Sequence, residues 1–219
     1  MRSRKRNAFR TLLVVLMLVM LFPGVTAQAA SRKKALKAYK KLLSKNTIMI
    51  APKNARIWPE INYKGTKNKN AKFSLAYLDS DKVPELFVYD PSAGYAVFRY
   101  KKGKAVRAGY KLYWTVPKGY YYKTGIFRTS SDVEGYIFYD TYNRYSSGKF
   151  THVIDHSYFE DYDEDDNRVI EHEYRSYPGA REITKGRFDA LLKNYTKGRA
   201  MTGLVLRKNT AKNRKKYLK

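Results

Sequence analysis

The sequence has no cysteine among its 219 residues. That excludes disulfide staples, a thiol nucleophile, a lipid-modified cysteine and any zinc site built on thiolates. Histidine is scarce, with three residues, and acids are outnumbered: 19 Asp and Glu stand against 45 Lys and Arg, a formal charge of +26. Neither Gly-x-Ser-x-Gly nor a phosphate-cradling glycine loop occurs. Ser146-Ser147-Gly148-Lys149 has the Ser-x-x-Lys spacing of some acylating enzymes, but its glycine places it in a turn rather than at a helix start. The one long apolar run, Leu12–Phe22, is short for a bilayer, which takes about 20 residues to span.

Around that run the residues are ordered. Arg2, Arg4, Lys5, Arg6 and Arg10 precede it, and Pro23-Gly24 and the small residues Ala27-Gln28-Ala29-Ala30 follow. This is the layout of a secretory signal peptide. It predicts removal of residues 1–29 and a secreted, extracellular protein with no integral membrane segment after cleavage. The five basic residues of the leader carry no balancing acid, so the remaining chain keeps a charge of +21. Lacking disulfides, that chain must rest on a core of its own, which its length allows. It divides into an N-terminal helix and irregular basic segment (30–72), a β-rich domain ending in a helix (73–202) and a basic C-terminal tail (203–219).

Periodicity supplies the elements. Ala35-Leu36, Tyr39 and Leu42-Leu43 recur at helical spacing with lysines between them, predicting an amphipathic helix from about Ser31 to Ser44 whose stripe packs on the domain. Asn46 to Asn70 is less regular. From Phe73 to about Tyr174, runs such as Leu86-Phe87-Val88-Tyr89 and Gly135-Tyr136-Ile137-Phe138-Tyr139 read as strands separated by Gly, Asp, Asn and Ser. Arg99-Tyr100-Lys101-Lys102-Gly103-Lys104 is echoed 45 residues later by Arg144-Tyr145-Ser146-Ser147-Gly148-Lys149, as two hairpin turns would be. Thr184 is placed to cap a helix carrying Phe188, Leu191, Leu192 and Tyr195, and Thr210 a last short one. The fold class expected is α+β: a Tyr-rich antiparallel β-sheet of repeated hairpins, an N-terminal amphipathic helix and C-terminal short helices. The 21 tyrosines suit half-buried strands, with ring inside and hydroxyl out, and such rings also stack on sugars or bases.

The sharpest local pattern is Leu78-Asp79-Ser80-Asp81-Lys82-Val83-Pro84-Glu85-Leu86-Phe87-Val88, after Phe73-Ser74-Leu75-Ala76. It resembles a D-x-D-x-D-G-x-P-E-L segment of uncharacterised secreted proteins from Gram-positive, clostridial-type gut bacteria, which is similar to the calcium-loop hairpins of FG-GAP and VCBS-type repeats. The resemblance implies extracellular location and hairpin architecture, with Asp79, Asp81 and Glu85 as metal ligands. The pattern's first Asp falls on Tyr77 and its Gly on Lys82. Calcium collects six or more oxygens, so one ligand is lost and a cation enters the loop. The other reading is a turn in which Asp79 and Asp81 accept from local amides.

Asp161, Asp163 and Asp165 alternate as at the start of an EF-hand loop. The sixth position, however, has Asp166 in place of Gly, and the twelfth has His172 in place of Glu, so a solvated hairpin tip is the better reading. His152 and His156, four apart on a strand, would lie about 13 Å from each other and form no site. His172, between Glu171 and Glu173, is expected to be exposed.

Charge placement is the remaining signal. Between Ser31 and Lys72 the single acid is Glu60, and from Lys193 to Lys219 there is none. Lys33, Lys34, Lys37, Lys40 and Lys41 near one end, and Lys212, Arg214, Lys215 and Lys216 near the other, are the candidate polyanion-binding residues. The sequence therefore reads as a non-enzymatic binding or structural module at the cell envelope, partnered by anionic cell-wall polymer or another polyanion. The alternatives are a divalent-cation-binding extracellular module and a glycan-acting enzyme with paired carboxylates. No cofactor is expected beyond the calcium of the second reading. Mass spectrometry of the exported protein is expected to find a new N-terminus between Ala27 and Ser31; an intact Met1 in that protein would contradict the leader.

Overall fold

The computed structural model describes residues 23–58, 61–133, 137–162 and 168–219. The basic start and apolar run of the leader lie outside the described residues, as do Asp163–Asn167 of the acidic run. Helix α1 (Pro23–Leu43) begins earlier than the expected Ser31. The described part of the helix includes Pro23-Gly24.

Two antiparallel sheets hold most of the strand residues, as expected of an α+β protein. The smaller sheet has five strands and the larger seven. In the smaller, β5 (Lys72–Ala76), β6 (Glu85–Asp90), β7 (Gly94–Lys101) and β8 (Lys104–Leu112) run as a meander. In the larger, β9 (Val116–Tyr120), β10 (Ile126–Val133), β11 (Ile137–Ser146), β12 (Lys149–Tyr162) and β13 (Arg168–Ser176) do the same, with β14 (Arg181–Glu182) at one edge. The irregular segment before β5 forms short ladders: β1 (Thr47–Ile48) with β4 (Thr66–Lys67), and β2 (Arg56–Trp58) with β3 (Ile61–Asn62).

Alternation along the strands sorts the apolar side chains into layers. On β6, Leu86 and Val88 join Leu36, Tyr39 and Leu43 of α1 in one buried cluster. Phe87 and Tyr89 point the other way and meet Tyr120 and Phe127 of the larger sheet. The outer face of that sheet carries Ile126, Tyr142 and Ile154 against Phe188 of helix α2 (Lys185–Thr196). The layers thus run helix, sheet, sheet, helix. The middle layer is aromatic: the Phe127 ring meets Phe87 and Phe150 edge-on, each at 5.3 Å between centroids, and Tyr95 stacks on Phe150 at 6.0 Å.

The echoed hairpins sit one in each sheet. Lys102 and Gly103 (φ 48 and 82) and Ser147 and Gly148 (φ 51 and 77) are two-residue turns with both central residues left-handed. They touch, since Arg99 of the first donates to the Ser147 carbonyl of the second. Gly148 takes φ 77, a left-handed value that glycine adopts without strain, and the Arg99 guanidinium lies over it.

The segment 203–219, expected as a charged tail, is woven into the fold. β15 (Thr202–Gly203) pairs with β9, and β16 (Arg207–Lys208) pairs with β5. Leu204 and Leu206 pack between the sheets. Helix α3 (Ala211–Tyr217) is capped by Thr210, as α2 is by Thr184, and delivers Leu218 into the α1 core. Leu218→Ala is therefore expected to lower the unfolding free energy by about 2–3 kcal/mol, and a chain ending at Leu206 to lose more. Denaturant melts of both variants test this; wild-type midpoints would contradict a structural role for the segment.

Candidate polyanion-binding face and acidic loop

The stripe Ala35, Leu36, Tyr39 and Leu43 is buried against the small sheet, so Lys33, Lys34, Lys37, Lys40 and Lys41 all stand exposed on the opposite side of α1. A helix end leaves its last carbonyls without partners, and here distant residues supply them. The Leu43 carbonyl accepts from Asn68 Nδ2 at 2.7 Å, Asn209 Nδ2 at 2.9 Å and Arg214 Nη1 at 3.3 Å. This junction places the start of the C-terminal helix at the C-terminal end of α1.

Arg214 serves that junction. It also donates to the Asn209 carbonyl and to Asn209 Oδ1, and is half-buried. Among the C-terminal candidates, Lys212, Lys215 and Lys216 are the exposed ones. None of the ion pairs among the described residues uses the lysines of α1 or α3. The face continues into residues the sequence reading did not include. A groove of about 360 Å³ between α1 and the β7–β8 turn is lined by Lys41, Lys45 and Lys104 together with Ala38 and Leu42.

The other sequence-derived cluster also assembles. Asp79, Asp81 and Glu85 each place a carboxylate oxygen within 4.8 Å of the others. The loop is built as a turn: Asp79 Oδ1 accepts from the Asp81 amide at 3.0 Å, and Asp81 Oδ1 from the Val83 amide at 2.7 Å. Lys82, where the resembling pattern has Gly, takes φ 62. Glu85 is buried and accepts from the Leu78 amide at 3.0 Å. Burial, then the charges of Asp79 and Asp81, push its carboxyl up to about 8. Burial also lifts Asp81 to about 6, with Asp79 adding to the rise. Three of the carboxylate oxygens are thus taken by backbone amides, leaving fewer for an ion.

The histidines end up in two places. His156 and His172 lie on neighbouring strands, with Nε2 of one 2.9 Å from Nδ1 of the other, a pairing that their sequence separation conceals. His152 Nε2 lies 3.3 Å from Asp155 Oδ2.

Comparison with family models, with curated proteins and with solved structures finds no match. Among the described residues, no helix is long and apolar enough to cross a membrane.

The acidic loop has a pH consequence. Unfolded, Glu85 loses its proton near its ordinary value of 4.5; folded, it keeps it until about 8. Between those values the folded state binds more protons, so this group's contribution falls as pH rises. Relative to Glu85→Gln, whose oxygen still accepts from Leu78, the wild type is expected to lose stability between pH 5 and pH 9. Urea melts of the two at both values test this; a constant gap would contradict a buried, protonated Glu85.

Proposed function

We propose that this chain is an exported, non-enzymatic binding module that associates with anionic polymer of the cell envelope through its basic face. The observation that supports the reading is the junction at Leu43, where Asn209 and Arg214 of one lysine-rich segment reach the end of the other; the reading takes the two as one basic face. A polyanion laid across such a surface releases its condensed counterions, so affinity falls steeply with salt. Attraction of this kind selects charge density rather than sequence or sugar identity. The leader expected at residues 1–29 supports the compartment, where wall polymers are the abundant polyanions.

Retention on heparin and on purified cell walls across a salt series tests the reading. Because the C-terminal segment is structural, charge reversal replaces truncation. Lys33→Glu with Lys37→Glu, and separately Lys212→Glu with Lys216→Glu, are each expected to lower the eluting salt and flatten the salt dependence. Reversal of Lys193, exposed on α2, is expected to change little. Equal effects at all three places, or no retention at low salt, would contradict a defined face.

A second reading, a divalent-cation module, is favoured by the proximity of Asp79, Asp81 and Glu85. Because amides already occupy part of the oxygen set, micromolar calcium is expected to leave the melting temperature unchanged. A clear rise abolished by Asp79→Ala would favour this second reading, since an ion bound only to the folded state stabilises it.

A further inference from the structure

The outer face of the large sheet holds a pair of imidazoles. Register sets His156 of β12 opposite Tyr174 of β13, and Tyr158 of β12 opposite His172 of β13. Residues two apart on a strand share a side, so the two histidines are diagonal neighbours on the face that also carries Tyr142 and Ile154. Diagonal neighbours stand about 7–8 Å apart, within reach of long side chains. Here the rings close that gap. His156 Nε2 lies 2.9 Å from His172 Nδ1, with 5.1 Å between the ring centroids.

Neighbouring rings hold the pair in place. Tyr174 stacks on His156 at 4.7 Å between centroids, with 8° between the planes. Tyr158 stands 5.8 Å from the His156 ring and 6.1 Å from the His172 ring, and Phe188 of α2 stands 6.1 Å from the His156 ring. His172 is exposed and His156 half-buried, so the pair stands at the surface. Asp140, directly opposite His156 on β11, brings a carboxylate to the same face, where Arg128 and Ser130 donate to it at 2.5 Å each. Burial, then the adjacent His172, hold His156 below the ordinary imidazole range, with Asp140 acting the other way. At neutral pH its ring is therefore uncharged, the form that binds a metal.

The stretch that carries His172 is also the one that attracts cations. Eight of the chain's 19 acids fall between Glu160 and Glu173, with Arg168 the single Lys or Arg among them. A positive ion thus meets a locally acidic segment in an otherwise basic protein. Other soft or nitrogen ligands are few. There is no cysteine, and the third histidine, His152, has its Nε2 3.3 Å from Asp155 Oδ2.

We propose that His156 Nε2 and His172 Nδ1 together bind one divalent transition-metal ion, copper(II) most tightly, with water completing its coordination. Imidazole nitrogen suits copper, nickel and zinc, and affinity for such ligands is highest for copper. Two nitrogens each about 2.0–2.1 Å from a shared ion stand about 3.0–3.4 Å from each other. The rings therefore need to part by only about 0.5 Å or less. In the free protein one facing nitrogen donates to the other. On binding, that hydrogen moves to the far nitrogen of its own ring, so two lone pairs face the ion and no proton is released. Calcium and magnesium take oxygen ligands and do not fit a two-imidazole site. The site is separate from the basic face and from the Asp79–Glu85 loop, and binding rather than redox chemistry is assigned to it.

The test uses the full chain without an added histidine tag. Copper(II), nickel(II), zinc(II) and calcium are titrated by calorimetry near pH 7, and the copper complex is read by electron paramagnetic resonance. Copper is expected to bind once per chain with Kd below about 100 µM, ahead of nickel and zinc, and calcium not to compete with it. The spectrum is expected to carry the splitting of two imidazole nitrogens. His172→Ala, at an exposed position, and His156→Gln are each expected to weaken copper at least about tenfold, with melting temperatures confirming that both fold. Asp79→Ala is expected to leave copper affinity unchanged. Absence of copper binding would overturn the proposal. So would wild-type affinity in folded His172→Ala, an equal loss in Asp79→Ala, or a spectrum with fewer than two nitrogens.

Discussion

The carbonyl of Leu43 is where the chain closes on itself. An exposed helix end would leave that oxygen to water; here Asn68, Asn209 and Arg214 reach it from three different segments. The consequences spread outward. α1 is fixed against the small sheet, β16 is held alongside β5, and Leu218 fills the core beneath the helix. Arg214 is drawn inward by the same contacts, so the arginine of the C-terminal group has a structural task while its lysine neighbours remain outside. A surface rich in one charge repels itself, and this junction holds two such surfaces together with hydrogen bonds to a neutral acceptor and a shared apolar core.

That arrangement needs a rigid interior, and without cysteine the interior must come from packing. The aromatic layer of Phe87, Tyr95, Phe127 and Phe150 provides it, joining two sheets whose outer faces are each covered by a helix. The same geometry separates two kinds of surface. The α1 side presents lysines over an apolar underside. On the inner face of the large sheet, beside Tyr113–Thr115, a cavity is lined by Lys111, Thr141, His152 and Asp155. One surface suits long-range, salt-dependent attraction and the other short-range, shape-dependent contact.

Much of the local structure was legible. The α1 stripe, the caps at Thr184 and Thr210 and the two echoed turns follow from periodicity and from the backbone preferences of Thr, Ser and Gly, all of which act over a few residues. The acidic loop was also visible, since its three carboxylates lie within seven positions. What escaped depends on contacts remote in sequence. Lysine content hid the structural use of Leu204, Leu206 and Leu218, because a charged segment reads as solvated until its few leucines are seen to meet a core. His156 and His172 come together through strand register alone. The cavity under the Tyr113–Thr115 turn joins Lys111, Trp114, Asp155 and Tyr177 from three segments, and no one of those segments carries a motif.

The central claim, that the two basic ends act as one face, is tested most directly by lysine footprinting. The protein is acetylated with and without saturating heparin, and the modification of each lysine is read by peptide mass spectrometry. The account expects Lys33, Lys37 and Lys40 of α1 and Lys212, Lys215 and Lys216 of the C-terminal segment to be shielded together, over the same range of heparin concentration, while Lys118 and Lys193 stay reactive. Shielding of one end without the other, or uniform shielding of every exposed lysine, would contradict it.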